Sequence, residues 1–286
     1  MKTFSYLLDG MTEFDALLEH IKKGKGYVHT LGVSGSQKTH LIYSLGQHHI
    51  GKTLVVAPDD TEAGRIAKEL SFLFCDEVLY FPSREYLFYD VDVSNRKNEY
   101  SRLSVLAGLD KASYIVCSVQ ALASYTLPYK YFKDFTVKLD MSSVVDMEEF
   151  VSKLVYMGYS RVSSVENVGQ FSVRGSIIDV FSPGVSMPVR IELWGDDIDS
   201  MRYFSPDTQL SGETTEEAVI YPSAELMYTA DEALDAVEKI RKMKNENLLR
   251  DIEKFSQSRY FPSNDKYMPL FYKEVSTLLD YLGKDF

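Results

Sequence analysis

Continuous apolar runs separated by amphipathic stretches characterise the first 125 residues of the chain. Apolar runs of this kind are typical of buried parallel strands. They predict strands at 27–31, 53–57, 78–81 and 114–119. The intervening stretches predict helices at 14–21, 39–45, 60–72 and 98–109, with an aspartate capping the third. Because strands alternate with helices, we expect an α/β fold with a doubly wound parallel sheet.

The pattern changes after about Tyr125. An amphipathic helix is predicted at 145–157, followed by alternating apolar and polar residues at 171–174, 176–181 and 189–194. Turn-forming residues at 182–184 and 195–197 separate these strands. We therefore expect a second domain of α+β type, with an antiparallel sheet that exposes one face to water.

The last segment is predicted to be mostly helical. Thr229 and Glu232 have the spacing of a capping box, and the helix that they begin is expected to continue past Leu248 to about Phe255. A final helix is predicted over Leu270–Leu282. We expect the chain to be a piece of a longer protein that is cut at its last residue.

Composition and charge narrow the function classes. Of the 286 residues, 45% are hydrophobic and 26% are charged, which predicts a packed globular protein. A net charge of -11 argues against general nucleic-acid binding, which requires clustered cations. Cys75 and Cys117 lie among apolar residues and are interpreted as core residues, and the histidines show no metal-binding spacing. No segment has the length and polarity of a membrane span, so a cytoplasmic protein is expected.

Residues 32–39, GVSGSQKT, are almost a phosphate-binding loop of the form G-x-x-x-x-G-K-[ST]. Gly32, Lys38 and Thr39 match the pattern, but Gln37 replaces the second glycine, which lets backbone N–H groups approach a phosphate. Lys38 could contact phosphate and Thr39 could contact Mg²⁺. The alternative is a structural turn between a strand and a helix. No cofactor is expected to be required, and weak binding of ATP with Mg²⁺ at this altered loop stays open.

Several motifs occur in the order found in one known family. They are an Ala57-Pro58 strand end, VCSV at 116–119, GQFSVRG at 169–175, IDVF at 178–181 and RIELWGDDID at 190–199. Together they resemble the nucleotide excision repair family that includes UvrB and the transcription-repair coupling factor Mfd. The resemblance covers nearly the whole chain, and its most specific part is the block from Phe171 to Asp199.

Two departures from UvrB favour the coupling-factor branch. The first is Gln37; the second is the short segment between Tyr80 and Ser101, where UvrB has a long tyrosine-rich hairpin that clamps DNA. Aromatic residues remaining in this segment are interpreted as packing residues: Tyr86, Phe88 and Tyr89. The resemblance implies a degenerate RecA-like domain at 1–125, an inserted α+β domain of the UvrA-binding type at 126–206, and a second, largely helical RecA-like part at 207–286.

The resemblance also implies where UvrA would bind. The family's contact residues correspond here to Arg161, Arg174 and Phe181, whereas the position that is arginine in UvrB is Ser172. Arginine pairs with carboxylates in a planar geometry, and an adjacent aromatic residue provides an apolar anchor. Two alternatives remain for this sequence: Arg174 could be a structural partner of Asp179, and Phe181 could be a core residue. Trp194 is interpreted as a core residue, and Asp196, Asp197 and Asp199 as a solvated turn.

The sequence therefore predicts a non-catalytic adaptor that recruits UvrA to stalled RNA polymerase. The resemblance assigns polymerase binding and ATP-driven DNA translocation to later domains, and it implies that a C-terminal domain can mask the UvrA-binding surface. The alternative is the front part of an ATP-dependent UvrB-like helicase. An acidic metal-binding box after an apolar strand, which such an enzyme needs, is missing from the sequence. A third interpretation, a DNA-binding module, is disfavoured by the negative charge.

Overall fold

A computed structural model of the chain describes residues 7–24, 26–48, 51–74, 78–84, 96–243, 251–255 and 264–283. Two compact units are present. The first comprises residues 1–83, 109–122 and 282–286, and the second comprises 84–108 and 123–281. Residues 207–281, predicted to be part of a RecA-like domain, thus belong to the second unit. Their assignment to a RecA-like domain, and the boundaries at 126 and 206, stay predictions.

The named elements alternate between helix and strand before the chain becomes mainly β. The α-helices are α1 (Thr12–Lys22), α2 (Ser36–His48), α3 (Asp60–Phe74), α4 (Lys97–Gly108), α5 (Val119–Ala123), α6 (Tyr129–Phe135), α7 (Met147–Tyr156), α8 (Ala230–Lys242) and α9 (Met268–Phe271). The strands are β1 (Thr53–Ala57), β2 (Val78–Phe81), β3 (Tyr114–Ser118), β4 (Val137–Asp140), β5 (Ser160–Arg161), β6 (Gln170–Arg174), β7 (Ile177–Phe181), β8 (Val189–Trp194), β9 (Asp197–Phe204), β10 (Ser211–Thr214) and β11 (Glu217–Ile220).

A parallel sheet with the order β1-β3-β2 forms the centre of the first unit. All of β3 is buried, including Cys117, which confirms that this cysteine is a core residue. Asp59 caps α3 by accepting a 2.8 Å hydrogen bond from the Glu62 N–H. The predicted strands β1, β2 and β3 are therefore confirmed, as is a mixed α/β fold with a parallel sheet.

The strand predicted at 27–31 is wrong. None of residues 26–34 is in a strand, and the side chains of Tyr27 and Leu31 are 95% and 81% exposed. Gly26 and Gly32, which flank the segment, have positive φ angles of 88° and 78°. The apolar pattern was misleading because a strand also needs a neighbouring strand to satisfy its backbone groups.

The second unit contains a sheet with the order β10-β9-β8-β7-β6-β5. Neighbouring strands are antiparallel from β6 to β10, as predicted for 171–194, and only the short β5 pairs in parallel with β6. A separate antiparallel pair joins β4 to β11, with Val137 opposite Ile220. Because β4 precedes the six-stranded sheet in sequence and β11 follows it, this pair brings together the chain segments on either side of that sheet.

The helical ends of the second unit agree only partly with the sequence. The capping box of α8 is confirmed, since Thr229 and Glu232 each accept a hydrogen bond from the other's N–H. α8 ends at Lys242, residues 251–255 are helical, and Leu248 lies outside the described residues, as do Cys75, Tyr86, Phe88 and Tyr89.

The prediction of one continuous helix over 270–282 is wrong. α9 ends at Phe271, and Tyr272 already has an extended backbone. Ser276 then forms an antiparallel bridge with Thr126, whose N–H donates a 2.8 Å bond to the Ser276 carbonyl. A long-range backbone pairing therefore replaces the local helical hydrogen bonds in this segment.

A buried ionic cluster lies elsewhere in the second unit, around Glu225. This fully buried carboxylate accepts hydrogen bonds from Arg102 Nε (3.0 Å) and Thr126 Oγ1 (2.5 Å), and its second oxygen lies 2.5 Å from Arg84 Nη2. Burial opposes ionisation of Glu225, but Arg102 and Arg84 outweigh it and hold its pKa below the ordinary value of 4.5.

Candidate functional site

The register of β6 and β7 determines which face of the sheet carries the predicted site. Arg174 is opposite Ile177, Ser172 is opposite Asp179, and Gln170 is opposite Phe181. Residues directly opposite each other in a sheet lie on the same face, and alternate residues along a strand share that face. Arg174 and Phe181 therefore belong to one face, with Asp179 between them.

Asp179 organises this face of the sheet. Its carboxylate is completely buried and accepts hydrogen bonds from three side chains. Arg174 Nη2 donates over 2.6 Å, Arg190 donates from Nε and Nη2 over 2.7 and 3.0 Å, and Ser172 Oγ lies at 3.5 Å. The hydrogen bond with Asp179 raises the pKa of Arg190 above its ordinary value. Asp179 thus holds two arginines in fixed positions.

Arg174 is both a structural partner and an exposed group. Its side chain is 46% exposed although it pairs with Asp179. One guanidinium has five N–H groups, and the bond to Asp179 uses a single nitrogen, so donors remain for a second carboxylate. The two arginines together carry one more positive charge than Asp179 neutralises. Arg174 can therefore be a structural partner of Asp179 and still have donors available for a binding partner.

Phe181 is half-buried at the other end of β7. Its carbonyl accepts a 2.7 Å hydrogen bond from the N–H of Gly169, the residue before β6, so the end of β7 is held against the start of β6. Phe181 is thus neither a fully buried core residue nor a fully exposed one. Ser172, whose position the family resemblance associated with an arginine, is 1% exposed and cannot contact a partner directly.

Arg161 occupies a different position from the other two predicted residues. It lies in the edge strand β5, is exposed, and is in register with the core residue Phe171 rather than with Gln170 or Ser172. The structure therefore brings Arg174 and Phe181 onto one face, whereas Arg161 lies on the edge strand in register with a residue of the opposite face.

Sequence reasoning missed Arg190 and misplaced Trp194. Both lie on β8 in alternation with the buried residues Val189, Ile191 and Leu193. Trp194 is 81% exposed, so its interpretation as a core residue is wrong. The alternation within RIELW was the signal that could have identified it, because residues two apart in a strand share a face.

The altered phosphate loop satisfies its own backbone. The Gln37 side-chain oxygen accepts a 3.1 Å hydrogen bond from the Ser34 N–H, which is one of the loop donors that a phosphate would need. Gly32 and Gly35 have positive φ angles, and α2 begins at Ser36. Lys38 is exposed beside this turn.

Thr39, the residue expected to contact a metal ion, is 2% exposed. It lies near Glu69 of α3: burial raises the pKa of this carboxyl, but the nearby Thr39 hydroxyl and hydrogen bonds from Arg65 and Ser36 hold it below the ordinary value. Arg65 in turn bonds Glu62 and Glu69 at 2.8 and 2.5 Å. The loop and the first turn of α2 are thus braced by the chain's own side chains.

Within the described residues, no helix is long and apolar enough to cross a membrane. The same part of the chain contains no group of three or more histidine, cysteine, aspartate or glutamate side chains that could hold a metal ion.

Comparison with known proteins connects the sheet with a family. The family model of the UvrB interaction domain matches residues 137–226, which begin with β4 and end just after β11. The chain is 27% identical to the transcription-repair-coupling factor of Bacillus subtilis over 94% of its own length and 24% of that protein. It is 31% identical to the factor of Myxococcus xanthus over 77% of this chain and 19% of the relative.

The corresponding factor of Staphylococcus haemolyticus is 27% identical over 89% of this chain and 23% of that protein. The chain thus spans about a quarter of the length of the curated relatives that it matches. Residues 137–226 thus match the UvrB interaction domain family, and most of the chain is similar in sequence to part of the transcription-repair-coupling factors.

Proposed function

We propose that this chain is a non-catalytic adaptor that binds the damage sensor UvrA and recruits it to stalled RNA polymerase. The observation that carries the proposal is the match of 137–226 to the UvrB interaction domain, together with the exposed guanidinium of Arg174 that Asp179 holds in place. UvrA would meet the sheet face that contains Arg174 and Phe181 and would reach around the edge strand β5 to Arg161.

The chemistry of this face suits a protein partner. Arg174 has donors left for a carboxylate, its position is fixed before binding, and Phe181 supplies apolar area nearby. An arginine whose position is already fixed loses less side-chain entropy on binding. In a longer protein like the relatives, polymerase binding and ATP-driven DNA translocation would belong to other segments.

Binding of purified UvrA, measured by calorimetry, tests the proposal. The double variant Arg161→Ala with Arg174→Ala is expected to weaken binding by at least about 2 kcal/mol, as interface arginines at hot spots do. Phe181→Ala is expected to weaken it further. Arg241→Ala is the matched control, because this arginine is also exposed but lies on α8, outside the sheet.

Each result has a distinct meaning. If the wild-type chain does not bind UvrA, the adaptor proposal is wrong. If it binds, but the double variant and Arg241→Ala bind equally well, UvrA uses another surface and the assignment of Arg161 and Arg174 fails.

A further inference from the structure

Trp194 is the chain's one tryptophan, and its side chain is 81% exposed. It is the last residue of β8 and shares a face with Arg190 and Glu192. Arg174, Ile177 and Glu192 form one row across three strands, and Trp194 lies two residues beyond Glu192. Standard strand spacings place the Cα atoms of Arg174 and Trp194 about 12 Å apart, close enough for one partner to contact both side chains.

A second exposed apolar residue lies beside this tryptophan. Asp197 of β9 is opposite Trp194 on one side and forms a bridge with Val144 on the other. Val144 is 72% exposed. The three residues therefore form a row in which two apolar side chains flank one aspartate. Tryptophan is enriched at binding hot spots because it buries a large apolar area with few rotatable bonds.

The charge around Trp194 is opposite to that around Arg174. Asp196, Asp197 and Asp199 are all exposed, and none of them forms an ion pair within the described residues. The Arg174–Asp179–Arg190 group, in contrast, has a net positive charge. One sheet face thus has a basic centre and an acidic end, and the acidic end carries the exposed tryptophan.

We propose that Trp194 is an apolar anchor for UvrA, inserted into a pocket with a basic rim on that partner while Arg174 pairs with a carboxylate on the same partner. This inference rests on the proposed function. It extends the proposed UvrA-binding surface beyond Arg174, in the direction away from Phe181, to Trp194. The opposite charges at Arg174 and at the aspartates also fix the direction in which UvrA lies along the face.

Because Trp194 is the chain's one tryptophan, a fluorescent tryptophan analogue incorporated into the chain reports on this position alone. The chain is prepared with 5-hydroxytryptophan at this position and excited at a wavelength that ordinary tryptophan does not absorb. Addition of unlabelled UvrA is expected to shift the emission to shorter wavelength, as the indole moves from water into an apolar pocket. An unchanged emission at saturating UvrA would overturn the proposal.

Affinity provides the second measurement. Trp194→Ala is expected to raise the Kd for UvrA at least about tenfold, and circular dichroism should be unchanged because the side chain is exposed. Leu234→Ala is the control, since Leu234 is 65% exposed on α8. A Kd for Trp194→Ala within twofold of the control contradicts the proposal.

Charge reversal tests the basic rim. Asp199→Lys is expected to raise the Kd about fivefold or more at low salt and less at high salt, because the opposing charges are screened. Glu238→Lys on α8 is the matched control. Loss of all binding by the wild-type chain would defeat the proposed function itself, whereas normal wild-type binding with no effect of Trp194→Ala defeats this inference alone.

Discussion

Arg174 donates a 2.6 Å hydrogen bond to Asp179, a carboxylate with no exposed surface, while its own side chain remains 46% exposed. One end of this pair belongs to the core of the sheet and the other faces solvent. The same carboxylate also holds Arg190 through two hydrogen bonds. The position of the candidate UvrA-binding arginine therefore depends on a buried residue that no partner could touch.

This relationship predicts the effect of Asp179→Asn on stability. The substitution removes the negative charge that pairs two arginines, one of which is only 13% exposed. Breaking a buried ion pair leaves an uncompensated charge, so we expect the free energy of unfolding to fall by about 3 kcal/mol. Urea denaturation measures it. Asp199→Asn, at an exposed position, should change the value by less than about 0.5 kcal/mol. Equal effects of the two substitutions would show that Asp179 does not have this role.

The altered phosphate loop leads to a second prediction. Gln37→Gly removes the side chain that bonds the Ser34 N–H and should free this donor for a phosphate. We expect binding of ATP with Mg²⁺ to strengthen at least about tenfold, by calorimetric titration, because the glycine also lets backbone groups approach the phosphate.

Two variants separate the causes. Gln37→Ala frees the same N–H but keeps a Cβ atom, so its gain should be smaller. Lys38→Ala in the Gln37→Gly background should abolish the gain. If Gln37→Gly binds ATP no better than the wild type, Gln37 is not what limits ATP binding, and the prediction is wrong.

The third prediction compares the effects on stability of substituting the two glycines of the GQFSVRG motif. Gly169 has φ +81°, and a Cβ atom there would lie 2.3 Å from the Tyr100 hydroxyl and 2.8 Å from Ser223 Oγ. Gly175 has φ +62° but nothing within 4 Å of its Cβ position. Gly175→Ala should cost about 1 kcal/mol of unfolding free energy, from the backbone alone. Gly169→Ala should cost about 3 kcal/mol, because a steric clash is added. Thermal denaturation of both variants checks the order, and a reversed order would contradict the packing around Gly169.

The Glu225 cluster predicts a pH dependence of stability. The pKa of Glu225 is below 4.5 in the folded chain, so the folded state binds fewer protons than the unfolded state near that pH. The stabilising effect of its charge is complete above about pH 4.5 and is lost as the pH falls through the folded pKa.

Glu225→Gln tests this dependence. It should destabilise the chain by about 3 kcal/mol at pH 7, because Arg102 and Arg84 lose their partner. Measured by urea denaturation at successive pH values, the difference from the wild type should narrow below pH 4.5. A difference that is constant down to pH 3 would contradict the ionised state assigned to Glu225.

Much of the local structure follows from the sequence. The apolar runs at 53–57, 78–81 and 114–118 are strands, as their continuous apolar character predicts, although only the run at 114–118 is buried throughout. The capping residues Asp59 and Thr229 begin their helices because each offers an oxygen to free N–H groups within reach. The antiparallel strands of 170–194 follow from alternation and turns. In each of these cases the deciding interactions are local.

What the tertiary structure decided involves partners distant in the chain. Residues 27–31 have a strand-like pattern but obtain no neighbouring strand, and the continuation after Phe271 pairs its backbone with Thr126 instead of remaining helical. The sheet register alone brings Arg174, Asp179 and Arg190 together. A residue's type and spacing determine which interactions it can make. Its face, its exposure and its partner depend on the register between strands that are separate in sequence.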